Sequence, residues 1–325
     1  MSEIKPPILV TGAAGFIGRA VAERLLDRGD TVIGVDNFNS YYDPALKEAR
    51  AATLARHGFT MVRGDIADGD AMCALVRDHG IRRIVHLAAQ AGVRYSLENP
   101  FAYERSNLAG HLAILEAARH GRCEHLVYAS SSSVYGDRPA GGAGFREDEP
   151  CVEPISLYAA TKRAGELMSA SYAHLYGLPQ TGLRFFTVYG PWGRPDMAVL
   201  GFARKITAGA PIEVYGNGQM ARDFTYIDDI VDGIIGALDR PPTPAENRIL
   251  NIGNSHPETL SDMIALLESA LGVTATKHMR EMQPGDVTAT YADVTKLAAL
   301  TGYTPKVRLR EGLERFAAWY RGFYG

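Results

Sequence analysis

One local pattern constrains this chain more than any other. An apolar, β-branched run at residues 8–10 opens directly into Thr11-Gly12-Ala13-Ala14-Gly15-Phe16-Ile17-Gly18, and an amphipathic helical pattern starts at Arg19. Glycines spaced this way between a first strand and a first helix permit a tight turn, close approach of a pyrophosphate and close helix–strand packing. The helix N-terminus adds backbone N–H groups and a partial positive charge, so the loop is suited to phosphate oxygens. The spacing is Gly-x-x-Gly-x-x-Gly, one residue longer than the common dehydrogenase form. A glycine triplet alone can be an ordinary turn; its place at a strand–helix junction gives it meaning.

The following residues keep to the same plan. Short apolar runs at 31–35, 60–62, 84–87 and 126–129 alternate with amphipathic stretches such as 70–79 and 108–120. Such alternation predicts an α/β fold with a doubly wound parallel sheet. Further on come a strand at 183–188, a Gly/Pro-rich break at 190–195, a turn-rich connector at 241–244, a strand at 249–252 and helices at 260–271 and 310–323. They predict a smaller mixed α/β region on the carboxyl edge of the sheet, where doubly wound folds bind ligands. The expected division is a Rossmann domain over 1–182, receiving later strands from near 224–253, and a mainly substrate-binding region over 183–325, intertwined with it.

Composition narrows the class of ligand. The 325 residues carry a formal net charge of −3 and no long run of one sign, which speaks against a nucleic-acid surface or a polybasic membrane patch. No apolar stretch reaches the ~20 residues of a membrane span. Cys73, Cys123 and Cys151 are odd in number and far apart, so neither a disulfide framework nor a zinc site is encoded. The start, Met-Ser-Glu-Ile-Lys-Pro-Pro, runs straight into the first strand without room for a signal peptide. A cytoplasmic, metal-free protein is the expectation.

Two further features give the site its chemistry. Asp36 ends the second strand, 18 residues after Gly18, where a carboxylate accepts hydrogen bonds from an adenosine ribose and repels a 2′-phosphate; the next residue is Asn37, not Arg, which favours NAD over NADP. Asp65-Ile66 and Leu87-Ala88-Ala89 end the next strands, where adenine and the bridging phosphates are expected, and His86 reads as a core histidine. Tyr158 and Lys162 are four apart in a helical segment, on one face and one turn apart. An ammonium beside a phenol favours the phenolate, as does the positive ring of an oxidised nicotinamide, giving a base that works near neutrality. Of the 16 tyrosines, Tyr158 alone has Lys at the fourth position, and it follows the hydroxyl cluster Ser130-Ser131-Ser132-Ser133 by about 25 residues.

With these residues in place, the chain resembles the extended short-chain dehydrogenase/reductase family over nearly its full length. The glycine motif, Asp36, the serines, Tyr158-x-x-x-Lys162 and Arg222-Asp223-Phe224 fall in the expected order. Three strings narrow the resemblance to the UDP-glucuronate 4-epimerases: Asp36-Asn37-Phe38-Asn39-Ser40-Tyr41-Tyr42-Asp43, Ala88-Ala89-Gln90-Ala91-Gly92-Val93-Arg94-Tyr95-Ser96, and the run from Arg184 through Thr187, Gly190-Pro191-Trp192-Gly193-Arg194-Pro195-Asp196 to Met197. UDP-glucose 4-epimerases look similar in outline but usually carry Asn where Thr187 stands.

The resemblance implies a tightly bound NAD, a UDP-uronate substrate and a homodimer built on helices at 108–120 and 157–176. It extends the cofactor set to Ala14, Phe16, Ile17, Asn37, Asn39, Ser40, Gln90, Asn107 and Phe185. It makes Tyr158 the base and Lys162 a ribose ligand, and puts Ser131 and Ser133 on the reacting 4-hydroxyl. Thr187, Arg194 and Ser132 are implied at the C6 carboxylate with Met197 near them, Arg222 at the diphosphate, and Gln283 and Asp286 at the UDP end. Some relatives carry Arg at the position of Gln283; Arg94 is the alternative charge there or a sugar contact. Related decarboxylases carry Glu at the position of Ser133, and related dehydratases Asp-Glu at Ser132-Ser133. This chain has neither. The expected reaction is reversible C4 epimerisation of UDP-glucuronate and UDP-galacturonate, with UDP-glucose or UDP-N-acetylglucosamine 4-epimerase, then UDP-glucuronate decarboxylase, as alternatives.

Overall fold

The computed structural model describes residues 5–137, 144–281 and 289–325. β1 (Ile8–Thr11), α1 (Phe16–Asp27), β2 (Val32–Asp36), α2 (Pro44–Thr53), β3 (Phe59–Arg63), α3 (Gly69–Asp78) and β4 (Arg83–His86) set up a regular alternation. Then come the short helices α4 (Tyr95–Glu98) and α5 (Pro100–Tyr103), a π-helical turn at Glu104–Ala109, α6 (Gly110–His120), β5 (His125–Ser131), α7 (Leu157–Tyr176) and β6 (Gln180–Phe185). The chain continues through β7 (Thr187–Tyr189), α8 (Ala198–Thr207), β8 (Ile212–Tyr215), β9 (Ala221–Tyr226), α9 (Ile227–Leu238) and β10 (Asn247–Ile252). It closes with β11 (Pro257–Thr259), α10 (Leu260–Leu271), β12 (Lys277–Arg280), β13 (Ala289–Thr290), α11 (Thr295–Thr301) and α12 (Leu309–Tyr324).

Among the described residues the main sheet has seven parallel strands in the order β10-β6-β5-β4-β1-β2-β3. This is the doubly wound sheet that the alternation predicts. Successive residues explain why it is covered on both sides. Ile8 and Val10 pack into one apolar cluster and Leu9 into another; Val85 and Ile84, and Val127 and Leu126, divide the same way. Side chains alternate across a strand, so a strand apolar at every position must be buried on both faces.

The strand expected at 183–188 is two strands. β6 ends at Phe185 in the main sheet, and β7 pairs with β9 in a separate sheet that also contains β11 and β13. Between them Phe186 N donates to Ile252 O at 3.1 Å, holding the chain as it crosses from one sheet to the other. The mostly apolar run at 183–188 reads as one strand and does not show that its halves serve different sheets. The crossing starts at the carboxyl end of β6, where Phe185 pairs with Ser131 at the end of β5. No described helix is long and apolar enough to cross a membrane.

Candidate active site

The glycine loop is a cradle that side chains would fill. Gly12 adopts φ +71°, and a Cβ there would meet Ala88 N at 2.9 Å; a Cβ at Gly18 would stand 2.0 Å from Gly12 O. Helix α1 begins at Phe16, straight after Gly15, and no side chain caps its N-terminus. Bare backbone at an uncapped helix start is the donor set that suits a pyrophosphate. Asp36 is buried at the end of β2, accepting Ala14 N at 3.1 Å and Phe38 N at 2.8 Å. A carboxylate has about four lone-pair sites, so these contacts fix the acid and leave acceptors for ribose hydroxyls. These residues fit a dinucleotide.

The other expected cofactor residues are tied to this frame by hydrogen bonds. Asn37 Oδ1 accepts Asn39 N at 3.1 Å, and Lys47 Nζ grips Asn39 Oδ1 at 2.7 Å; Ser40 beside them is exposed. Asp65 takes Arg105 Nη2 at 3.0 Å, and Ile66 is buried. Asn107 Oδ1 accepts Gln90 N at 2.8 Å, while its Nδ2 donates to Gln90 O and Thr161 Oγ1, each at 3.0 Å. Asn107 lies in the π-helical turn, a local insertion common at functional sites. Ala88, Ala89, Asn107 and Lys162 line one small cavity with His86 and His111. His86 is buried and bonded to Thr11 Oγ1 at 2.7 Å, as a core histidine should be. Leu87 N donates to Thr11 O at 3.3 Å, and Phe185 ends β6, buried.

Tyr158 lies in the first turn of α7, whose N-cap Ser156 accepts Ala159 N at 3.1 Å. Its hydroxyl is hydrogen-bonded to Ser131, which lies 3.2 Å from Ser133 Oγ. Ser132 and Ser133 open a 3-10 turn after β5. Ser130 faces away and donates to Glu166 Oε1 at 2.6 Å.

The electrostatics differ from the expectation. Burial pushes the Tyr158 phenol up; the Ser131 hydrogen bond and the Arg194 charge act against that rise. Lys162 donates instead to Ala129 O at 2.9 Å, and burial lowers its own pKa to about 8. Four-residue spacing fixes a shared face, not a contact. The cation that bears on the phenol comes from another segment.

That segment follows β7. Thr187, Arg194 and Met197 line one cavity with Gly190 and Gly193. Arg194 binds Asp196 through Nε at 3.0 Å and Nη2 at 2.6 Å, and Tyr41 Oη donates to Asp196 Oδ2 at 3.1 Å. Elsewhere, the Arg94 guanidinium lies 5.2 Å from the centre of the Tyr215 ring, and Arg222 on β9 donates to Ala221 O at 2.9 Å. Gln283 and Asp286 lie outside the described residues.

Four residues near the site escape sequence reasoning. Asp196 and Tyr41 stand in strings already singled out, yet nothing local says they meet. Tyr103 stacks edge-on against Tyr158 at 6.1 Å and donates to Ala91 O at 2.9 Å. Arg50 reads as a surface charge on an alanine-rich helix but is fully buried, donating to Trp192 O at 2.6 Å and Gly193 O at 3.0 Å. It thereby fastens α2 to the Arg194 segment. The available signal was its position four after buried Leu46, on the same face of α2.

The family described as NAD dependent epimerase/dehydratase matches residues 8–253. This chain belongs to that family. It is 46% identical to UDP-glucuronate 4-epimerase 3 of Arabidopsis thaliana, over 98% of this chain and 77% of that protein. Its fold superposes on the crystal structure of UDP-glucuronic acid 4-epimerase from Bacillus cereus in complex with UDP-glucuronic acid and NAD, with a TM-score of 0.91, 35% identity and coverage of 98% of this chain and 100% of that one. UDP-glucose 4-epimerase from Thermotoga maritima is also similar, with a TM-score of 0.88 at 29% identity, covering 98% and 100%. Membership accounts for the parallel sheet flanked by helices.

Proposed function

We propose that this chain interconverts UDP-glucuronate and UDP-galacturonate by inverting C4 of the sugar. One observation carries the choice of a uronate: Arg194 acts electrostatically on the Tyr158 phenol and lines a cavity with Thr187. A cation and a hydroxyl on a wall close to the base suit a carboxylate two carbons from the reacting centre.

The glycine cradle, with Asp36, Asn107 and Lys162, would hold NAD, which would supply the hydride acceptor and donor for C4. Tyr158 removes the 4-hydroxyl proton and gives it back, with Ser131 and Ser133 orienting that hydroxyl. The 4-keto sugar turns about its bonds to the diphosphate and offers its other face, so no external reductant is consumed. Arg222, Gln283 and Asp286 are assigned to the nucleotide and diphosphate, and Arg94 to the diphosphate or the sugar.

A 4-keto uronate is a β-keto acid, and it loses CO₂ when its carboxylate stands perpendicular to the carbonyl plane. Neutral Ser132, with Thr187 and Arg194, holds the carboxylate out of that alignment, and Ser133 beside it is neutral too. Acidic side chains at the serine positions would repel it.

The same reading includes a cytoplasmic homodimer. Leu112 on α6 and Leu167 and Leu175 on α7 are exposed apolar residues, as expected of a face that pairs with a second copy. Incubating purified protein with UDP-glucuronate, UDP-glucose and UDP-N-acetylglucosamine, and following C4 inversion by NMR, tests the proposal. Conversion of the uronate is expected, with Tyr158→Phe as an inactive control. A strong preference for the neutral sugars would overturn the carboxylate assignment.

A further inference from the structure

Arg194 already has a carboxylate. Its guanidinium clasps Asp196 through two nitrogens, and the pair is largely shielded, with side chains 23% and 26% exposed. An ion pair between residues two apart in a loop is ordinary. A third partner from a remote segment is not. Tyr41, between β2 and α2, donates to Asp196 Oδ2 at 3.1 Å and packs on Tyr95 with ring centres 4.6 Å apart. A Cβ at Gly92 would stand 2.5 Å from the Tyr41 hydroxyl, so glycine there leaves the hydroxyl its present place beside Asp196. Both members of the pair bear on Tyr158: the positive charge of Arg194 favours the phenolate and the negative charge of Asp196 opposes it.

Inversion at C4 requires the keto sugar to turn over between its two half-reactions. The C6 carboxylate must leave its partner and be held again afterwards. A guanidinium held by substrate alone would be stranded in a shielded site during the turn, and an uncompensated buried charge is strongly unfavourable. A second carboxylate within reach removes that barrier, at the expense of repelling the substrate carboxylate when it docks.

We propose that Asp196 is the exchange partner of the substrate carboxylate at Arg194, taking up the guanidinium while the sugar turns and yielding part of it when the uronate is seated. Tyr41 holds Asp196 within reach. Asp196 is thus a positioning residue that keeps uronate binding loose and turnover fast. The inference rests on the C4-epimerase reading above.

The test compares wild-type holoenzyme with Asp196→Asn and Tyr41→Phe. Kd for UDP-glucuronate, UDP-glucose and UDP is measured by calorimetry, and kcat for C4 inversion by NMR. Asp196→Asn is expected to bind UDP-glucuronate roughly tenfold more tightly and to lose roughly tenfold in kcat, with UDP-glucose and UDP binding unchanged. Tyr41→Phe should shift the same quantities in the same direction by less. A fall in kcat with unchanged or weaker uronate binding would mean that Asp196 only shapes the loop, and overturns the proposal. Tighter binding with unchanged kcat overturns it equally. If the wild-type protein does not invert UDP-glucuronate, the functional reading fails instead, and the substrate panel shows that before any variant is compared.

Discussion

Two arginines ten residues apart make the same bond and do different work. Arg184 in β6 binds Glu166 of α7 through Nε at 2.8 Å and Nη2 at 2.9 Å, and Ser130 and Arg163 complete the cluster. Those two side chains are 3% and 1% exposed, against 23% and 26% for Arg194 and Asp196. In both pairs burial pushes the carboxyl up and the arginine more than offsets it, leaving Glu166 and Asp196 ionised. The difference lies in what each bond joins. The first ties the helix carrying Tyr158 and Lys162 to the sheet, across 18 residues of sequence. The second joins neighbours at the edge of a cavity that a ligand can enter. Enclosure makes one pair a fixed strut and leaves the other open to exchange.

Removing the strut should have the largest effect on stability. Glu166→Gln leaves Arg184 buried without its carboxylate, and a loss of about 3–5 kcal/mol in urea unfolding is expected. A loss below about 1 kcal/mol would erase the contrast. Arg194→Ala should cost less, about 1–3 kcal/mol of stability, because Asp196 is more exposed than Glu166 and keeps Tyr41 as a hydrogen-bond donor. Its effect belongs on the substrate: KM for UDP-glucuronate rises roughly tenfold, or a UDP-pentose appears from escaped CO₂, while UDP-glucose binding stays put. Destabilisation matching that of Glu166→Gln would show that both pairs are struts.

The same contrast marks what the amino-acid sequence reveals and what it withholds. The main sheet was legible because β1, β2 and the centres of β4 and β5 are short apolar runs that alternate with helical patterns, and the glycine cradle because Gly12 and Gly18 stand where no side chain fits. The placement of Tyr158 and Lys162 on one helix was legible through their spacing. Which charge acts on Tyr158 was not, because that depends on where the 190–197 segment folds back. Ser130 and Ser131 are neighbours in one run of serines, yet one serves Glu166 and the other Tyr158. Strand alternation accounts for that split once the strand is known to extend to Ser131. The crossing at Phe186, the burial of Arg50 and the reach of Tyr41 all join segments far apart in sequence. No local pattern encodes the partners they meet, although the helical face shared with Leu46 hints that Arg50 is buried.

Lys162 completes the comparison as a buried cation held by a carbonyl. The carboxylates raise the pKa of Arg184 and Arg194, whereas burial lowers Lys162 to about 8. Between about 8 and the ordinary lysine value of 10.5, the unfolded chain holds a proton on this side chain that the folded chain has released. Burying the ammonium opposes folding below that window, and the penalty fades as pH rises through it, so the contribution of Lys162 favours folding more at high pH. Activity should move the other way, because the ammonium proposed to bind the nicotinamide ribose is lost above about pH 8. The expected result is a kcat/KM profile that falls from about pH 8, while the stability difference between wild type and Lys162→Met shifts in favour of wild type from pH 8 to 10. Parallel stability curves for the two proteins would show that Lys162 keeps its charge, and that Ala129 O serves it as well as the carboxylates serve the arginines.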